Sequence, residues 1–364
     1  MNIHQHRNPL STTWTKAQEG RVTIGFIGGS ITDARPRHNW PEPVIAWFAN
    51  AFPNSKIIVE NAAIGATGSD LAVLRAGRDL IDRGCDLVFI DYAVNDNETA
   101  TERRMRTREG LIRKLLEGEG RDVILTYTYC QDMYEDMMTN QVPPSIREFE
   151  QLAEHYGLGS VWMGLHALSE VRKGFMRWEE WLPDGLHPTQ RGSFSYGSSV
   201  IDFLEEERRR FEQSGGAEPC HGSLPEPVNS QNWQHTFQIP LEDLETDGPW
   251  VIRRWPYYEW IDQVLETSAV GAKASFSFEG RGVALGFDFG KRSSEFRYRI
   301  DEEEWVAVER DRPDWVQDDG WYRLSVLTDE LKPGSHHLEL EVIHGNRAEC
   351  QGTNFRLAMV GVIQ

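Results

Sequence analysis

Cysteine is scarce in this sequence, at four residues in 364. Cys85, Cys130, Cys220 and Cys350 stand far apart without a C-x-x-C pair, which excludes a disulfide framework or zinc knuckle and makes reduced thiols the expectation. Positive charge is also short. Lys and Arg number 38 against 57 Asp and Glu, a net charge of −19, and a surface of that sign repels phosphate backbones and anionic lipids. Nucleic acid and membrane surfaces are therefore excluded as expected partners. No hydrophobic run approaches bilayer length, and the first residues, MNIHQHRNPLSTTW, lack the apolar core of a secretory leader. The expected location is cytoplasmic. Neither a G-x-G-x-x-G nor a G-x-x-x-x-G-K-[ST] phosphate loop is present, nor an H-E-x-x-H metal motif, so no cofactor or metal is expected.

What is present reads as a globular protein. Hydrophobic residues make up 39% and there are 13 Trp, ample for a buried core and unlike disordered or collagenous chains. A length of 364 residues exceeds one ordinary domain. Two cores are expected.

Short apolar runs at 22–28 (VTIGFIG), 56–64, 87–93 and 122–129 read as buried strands. Amphipathic stretches between and after them, at 41–51, 69–83, 100–117 and 145–156, read as helices, with Ser69 and Ser145 as candidate N-caps. A last helix over 192–213 is stopped by Ser214-Gly215-Gly216. Near-continuous apolar strands alternating with helices predict a three-layer α/β/α, flavodoxin-like parallel sheet over residues 1–215. Residues 216–235 lose hydrophobic periodicity and read as a linker. Beyond it the period becomes two, as in Phe276 and Phe278, Val283 to Phe289, Phe296 to Ile300 and Leu338 to Val342. That pattern predicts an antiparallel, jelly-roll-like β-sandwich over 236–364.

Ligands of an open parallel sheet bind at the carboxyl ends of its strands. The first strand runs into Gly28-Gly29-Ser30-Ile31-Thr32-Asp33, where glycines allow a sharp turn and leave a hydroxyl exposed; the plainer reading is a turn with a capping Ser. In Pro183-Asp184-Gly185-Leu186-His187-Pro188 a carboxylate three residues ahead of an imidazole can fix its tautomer, which makes Asp184 and His187 candidate orienter and base for Ser30. Such a nucleophile also needs oxyanion donors. Backbone N–H groups of Asn61 to Ser69 and the side chain of Asn95 are the candidates, although Asn95 alone reads as a turn residue.

In chain order Gly28-Gly29-Ser30-Ile31-Thr32, the loop Asn61 to Ser69, Val94-Asn95-Asp96 and Asp184-Gly185-Leu186-His187-Pro188 resemble the four ordered blocks of the SGNH (GDSL-like) hydrolase superfamily over about residues 20–210. The resemblance implies Ser30 as nucleophile and backbone oxyanion donor, His187 as base, Asp184 as its partner, and Asn95 with Gly65 or Ala66 completing the oxyanion hole. The sequence departs from the family in reading Gly-Gly-Ser for Gly-Asp-Ser and in placing Ala93 where Gly is usual.

The Gly-Gly-Ser-Ile-Thr form with an added β-sandwich is similar to the carbohydrate-esterase branch, which includes acetylxylan esterases and implies an O-acetylated mono- or oligosaccharide substrate. Trp40, Trp178 and Trp181 flank the blocks and are candidate sugar-stacking residues, against the plainer reading that they fill the core. The absence of a long apolar lid argues against a lipase. In the second domain Trp255, Tyr257, Tyr258, Trp260, Trp305, Trp315 and Trp321 suit a sugar-binding face, packing on the first domain, or an interface of a homo-oligomer. Two alternatives stand beside the acetylesterase: a short-chain thioesterase or lysophospholipase of the same superfamily, and a non-catalytic carbohydrate-binding protein.

Overall fold

The structure is a computed structural model that describes residues 1–33, 39–118, 120–216, 223–256, 258, 260–308, 312, 314, 316–344, 348 and 350–364. Cys220, Tyr257 and Trp315 lie outside the described residues, and Cys85, Cys130 and Cys350 are buried free thiols. The chain divides into two units, Met1–Gln234 and His235–Gln364.

In the first unit, strands β1 (His4–Gln5), β2 (Arg21–Gly28), β3 (Lys56–Asn61), β4 (Leu87–Asp91), β5 (Asp122–Thr126) and β6 (Gly159–Val161) form one sheet in the order β1-β6-β5-β4-β2-β3. Strands β2 to β6 are parallel, and the short β1 adds an antiparallel edge. Residues 22–28 and 87–91 are wholly buried, as expected of strands covered on both faces. The helices follow the strands: α1 (Ser11–Gln18), α2 (Pro41–Ala51), α3 (Ser69–Ala76), α4 (Thr101–Leu116), α5 (Tyr134–Met138), α6 (Pro144–Tyr156), α7 (Met163–Arg172), α8 (Trp178–Trp181) and α9 (Gln190–Gln213). In α9, Thr189 caps the start by accepting the Gly192 N–H, and Tyr196, Val200, Phe203, Leu204 and Phe211 make the buried stripe.

The sheet order fixes the site. From β2 the chain passes to β3 on one side and then crosses to β4 on the other, so the crevice between the ends of β2 and β4 is the topological switch point. Gly28 and Asp91, the last residues of these strands, pair in register.

Residues 223–234 are packed, not a free tether, which moves the domain boundary from 215 to 234. Polar composition hid this, because the anchors are backbone groups that any sequence carries. Buried Glu109 of α4 accepts the N–H groups of Val228 at 2.5 Å and Asn229 at 2.7 Å. The Trp233 N–H donates to the Arg106 carbonyl at 3.0 Å, and its side chain is fully buried. Gly110 makes the close approach possible, since a Cβ there would lie 2.5 Å from the Trp233 backbone. Gly110→Ala is expected to cost about 1–3 kcal/mol through this clash, read as a lower Tm and faster proteolysis within 223–234. Helix propensity alone predicts the opposite sign, so an unchanged or raised Tm overturns the docking account.

The two serines expected to cap helices do something else. Helix α3 starts after Gly68, and the Ser69 N–H is held at 2.9 Å by the Asp96 carboxylate from another loop. Helix α6 starts at Pro144, and buried Ser145 donates to the Ala93 carbonyl at 2.5 Å.

In the second unit, β7 (Thr236–Gln238), β8 (Glu245–Asp247), β9 (Val251–Arg254), β10 (Gln263–Thr267), β11 (Lys273–Gly280), β12 (Gly282–Asp288), β13 (Glu295–Ile300), β14 (Val306–Val308), β15 (Tyr322–Thr328), β16 (Gly334–Ile343) and β17 (Phe355–Ile363) make two antiparallel sheets. One runs β15-β12-β17-β10-β9 with β7 also on β17, and the other β14-β13-β16-β11-β8. Phe276, Phe278, Leu338 and Leu340 of one sheet meet Val283, Leu285, Phe287 and Leu357 of the other in a single core. This is the sandwich that the period of two predicts.

Candidate active site

The site assembles where β2, β3 and β4 end. After β2 the chain turns at Gly28-Gly29 and presents the half-buried Ser30. A Cβ on Gly29 would lie 2.0 Å from the Asn95 amide oxygen, so the absence of a side chain lets Asn95, from the loop after β4, lie against the nucleophile turn. The turn is closed by the Thr32 and Asp33 N–H groups donating to the Gly29 carbonyl at 3.1 and 3.0 Å.

His187 arrives from the loop before α9, 157 residues along the chain. Its Nε2 lies 3.0 Å from Ser30 Oγ, and its Nδ1 lies 2.9 Å from Asp184 Oδ2. The other Asp184 oxygen accepts the N–H groups of Leu186 at 2.9 Å and His187 at 2.7 Å. Partial burial pushes the Asp184 carboxyl up, but the His187 ring and these two N–H groups outweigh it and hold it below the usual carboxylate range. An ionised carboxylate at Nδ1 keeps the proton on that nitrogen and leaves Nε2 free to accept one from Ser30. About half of each side chain is exposed, 48% for His187 and 54% for Asp184, so the site opens directly to solvent.

The loop after β3 lies beside Ser30. Asn61 pins it by donating to the Thr32 carbonyl at 3.0 Å and accepting the Ala63 N–H at 3.0 Å. Gly65 packs on Ser30, yet its N–H is taken by Asp33 Oδ2 at 3.3 Å. Ala66 is exposed and left-handed, with φ of 59°, and among the described residues its N–H has no protein partner, like that of Ser30. Of the two candidates, Ala66 thus has the free donor.

Asp96 and Arg108 hold this arrangement. Asp96 accepts from Ser69 N–H at 2.9 Å and from buried Arg108 Nε at 2.8 Å, which ties the Asn95 loop to α3 and α4. Arg108 Nη2 also donates to Ser145 Oγ at 2.8 Å. An arginine inside a helix reads as a solvated charge, and only the fold shows that Arg108 is buried.

Two of the three candidate stacking residues cannot meet a ligand. Trp40 is fully buried against Phe26 and Phe89, with its Nε1 donating to Thr32 Oγ1 at 2.9 Å. Trp181 is fully buried between Tyr129 and Tyr196. Both follow the ordinary tendency of indoles to fill cores. Trp178 is half-buried and sits edge-on to the exposed Tyr134, ring centroids 5.9 Å apart, which leaves this pair at the surface of the segment that leads to Asp184. In the second unit Trp260 is buried, while Trp305 lies under the guanidinium groups of Arg297 and Arg299 at 4.7 and 4.9 Å.

A cavity of about 480 Å³ lies at the opposite end of the sheet, bordered by Ser11, Asp122 and Gly159. It contains none of the groups above. Among the described residues no set of three His, Cys, Asp or Glu is placed to hold a metal ion, and no helix is long and apolar enough to cross a membrane.

Comparison with known proteins bears on the first unit and on the whole fold. Residues 26–193 match the GDSL-like lipase/acylhydrolase family. A two-domain esterase active on acetylated mannans, co-crystallised with mannopentaose, shares 22% identity and a TM-score of 0.80 over 99% of this chain and 96% of its own. A second structure of a two-domain esterase active on acetylated mannans gives 23% and 0.79 over 98% and 95%. An acetylxylan esterase from Geobacillus stearothermophilus, in a catalytic mutant, gives 21% and 0.44 over 50% of this chain and 94% of its own. No curated protein matches this chain. The two-domain architecture is thus one already seen in solved structures.

Proposed function

We propose, from the match of residues 26–193 to the GDSL-like lipase/acylhydrolase family, that this chain is a serine esterase that removes short acyl groups, O-acetyl above all, from saccharides. One observation carries the reading: Ser30 Oγ, His187 Nε2 and Asp184 stand in hydrogen-bonded series at 3.0 and 2.9 Å, in an open site with unused N–H donors beside the hydroxyl. The architecture shared with an esterase active on acetylated mannans supports an acetylated saccharide.

The chemistry follows from these positions. His187 Nε2 takes the Ser30 proton as Oγ attacks the ester carbonyl, while Asp184 steadies the imidazolium. Negative charge on the carbonyl oxygen is met by the N–H groups of Ser30 and Ala66 and by the Asn95 amide. Collapse breaks the bond to the sugar oxygen, which leaves with the proton from His187. Water, deprotonated by His187, then attacks the acetyl-Ser30 ester and releases acetate.

Acetate release from acetylated mannan- and xylan-type oligosaccharides, compared in wild type and Ser30→Ala, tests the substrate class. On p-nitrophenyl esters, acetyl is expected to exceed octanoyl in kcat/KM by about tenfold or more. Preference for the longer chain would move the assignment to a thioesterase or lysophospholipase of the same family.

A further inference from the structure

Beneath Ser30 lies a carboxylate that the mechanism above does not use. Asp91, the last residue of β4, is 3% exposed. Its Oδ2 accepts from Thr32 Oγ1 at 2.7 Å and its Oδ1 from Thr128 Oγ1 at 2.9 Å. Among the described residues no Lys, Arg or His pairs with it. The titratable groups that face it are Asp96, from the loop after β4, and Tyr196 of α9, and neither supplies positive charge. An isolated buried carboxylate is costly, and a neutral residue here would suit the core better.

Donor arithmetic explains what the charge does. Trp40 Nε1, which can only donate, gives its proton to Thr32 Oγ1 at 2.9 Å. Thr32 must therefore send its own proton elsewhere, and Asp91 Oδ2 receives it; the Thr128 hydroxyl, also buried, gives its proton to Oδ1. Only a group with two acceptor oxygens and no proton satisfies both. A protonated Asp91, or an Asn, presents a donor to one threonine and leaves a buried hydroxyl without an acceptor. Thr32 is two residues from Ser30, and its carbonyl also receives Asn61 Nδ2, so this residue, through its hydroxyl and its carbonyl, is where the end of β4, the nucleophile turn and the end of β3 are joined.

We infer that Asp91 is a positioning residue for the nucleophile: as a carboxylate it accepts both threonine hydroxyls and so locks the turn carrying Ser30 against the strand that leads to Asn95. The inference rests on the esterase reading above and deepens it. Burial pushes the Asp91 carboxyl up to about 6, against the opposing hydroxyls of Thr32 and Thr128. The lock is therefore present above that pH and released as pH falls through it.

The test uses the full chain, with kcat and KM on p-nitrophenyl acetate, the rate of Ser30 labelling by a fluorophosphonate, and Tm. Asp91→Asn is expected to lower kcat and the labelling rate together by about 10- to 100-fold with KM little changed, and to lose one ionisation near pH 6 from the acid limb of kcat. Thr32→Val, which removes the hydroxyl but not the carboxylate, follows it, and Thr32→Ser, which keeps the hydroxyl, restores wild-type rates. If Asp91→Asn does not fold, the two Thr32 variants decide alone. Wild-type labelling and kcat in Asp91→Asn or Thr32→Val overturn the inference. Absence of Ser30 labelling in the wild type overturns the esterase reading instead, so the two failures are distinct.

Discussion

Ser30→Ala, His187→Ala and Asp184→Asn each lower kcat on p-nitrophenyl acetate by about 10⁴-fold or more, and any two together lower it little further. The series is non-additive because one proton path runs through all three side chains. Without Ser30 Oγ there is nothing for His187 to deprotonate; without His187 Nε2, 3.0 Å away, the hydroxyl is a weak nucleophile. The Asp184→Asn case follows from the hydrogen bonds. Oδ1 holds the Leu186 and His187 N–H groups at 2.9 and 2.7 Å, so an Asn oxygen stays there and its NH₂ faces His187 Nδ1. That nitrogen must then be bare, the proton moves to Nε2, and the base is lost while the fold is kept. Full-chain kinetics with Tm as control check this. More than a tenth of wild-type kcat in Ser30→Ala, or losses that multiply across the series, would end the assignment.

Asn95→Ala lowers kcat by about 10²- to 10³-fold with a small change in KM. A donor to the oxyanion acts on the transition state and not on the bound ester, so the loss belongs in kcat. Gly29→Ala gives a loss of the same order by a different route, since its Cβ would lie 2.0 Å from Asn95 Oδ1 and displace the amide. The double variant is no worse than either single one, because Asn95→Ala removes both the donor and the obstacle. Ala66→Gly is the matched control. The backbone N–H remains, and the φ of 59° suits glycine better than alanine, so activity stays within about threefold of wild type while the loop loses strain. A kcat within threefold of wild type in Asn95→Ala would remove that side chain from the oxyanion site.

Much of this was legible in residue order. Continuous apolar runs mark β2 and β4 because a strand buried on both faces has no polar side, and alternation marks β11 and β16 because each has one face less buried than the other. Asp184 and His187 could be paired on paper, since three residues of turn bring a carboxylate to an imidazole whatever the rest of the chain does. Helix starts were read less well. Ser69 and Ser145 look like caps by composition, but the Ser69 N–H is met by Asp96 from another loop, and no local rule sees a partner 27 residues away.

Residue order alone determined the two-part organisation, the class of each part and the candidate pairing near residue 185, because these rest on periodicity and short-range spacing. Tertiary structure decided what depends on groups far apart in the chain. It placed Ser30 against His187, took the Gly65 N–H for Asp33 and left that of Ala66 free, buried Trp40 and Trp181, and fastened residues 223–234 to Glu109. It also buried the Asp91 carboxylate beside the nucleophile turn, where it accepts two threonine hydroxyls. Each of these is a contact whose partner, burial or donor count exists only once the sheet has closed, which is why composition and spacing could name the candidates but not choose among them.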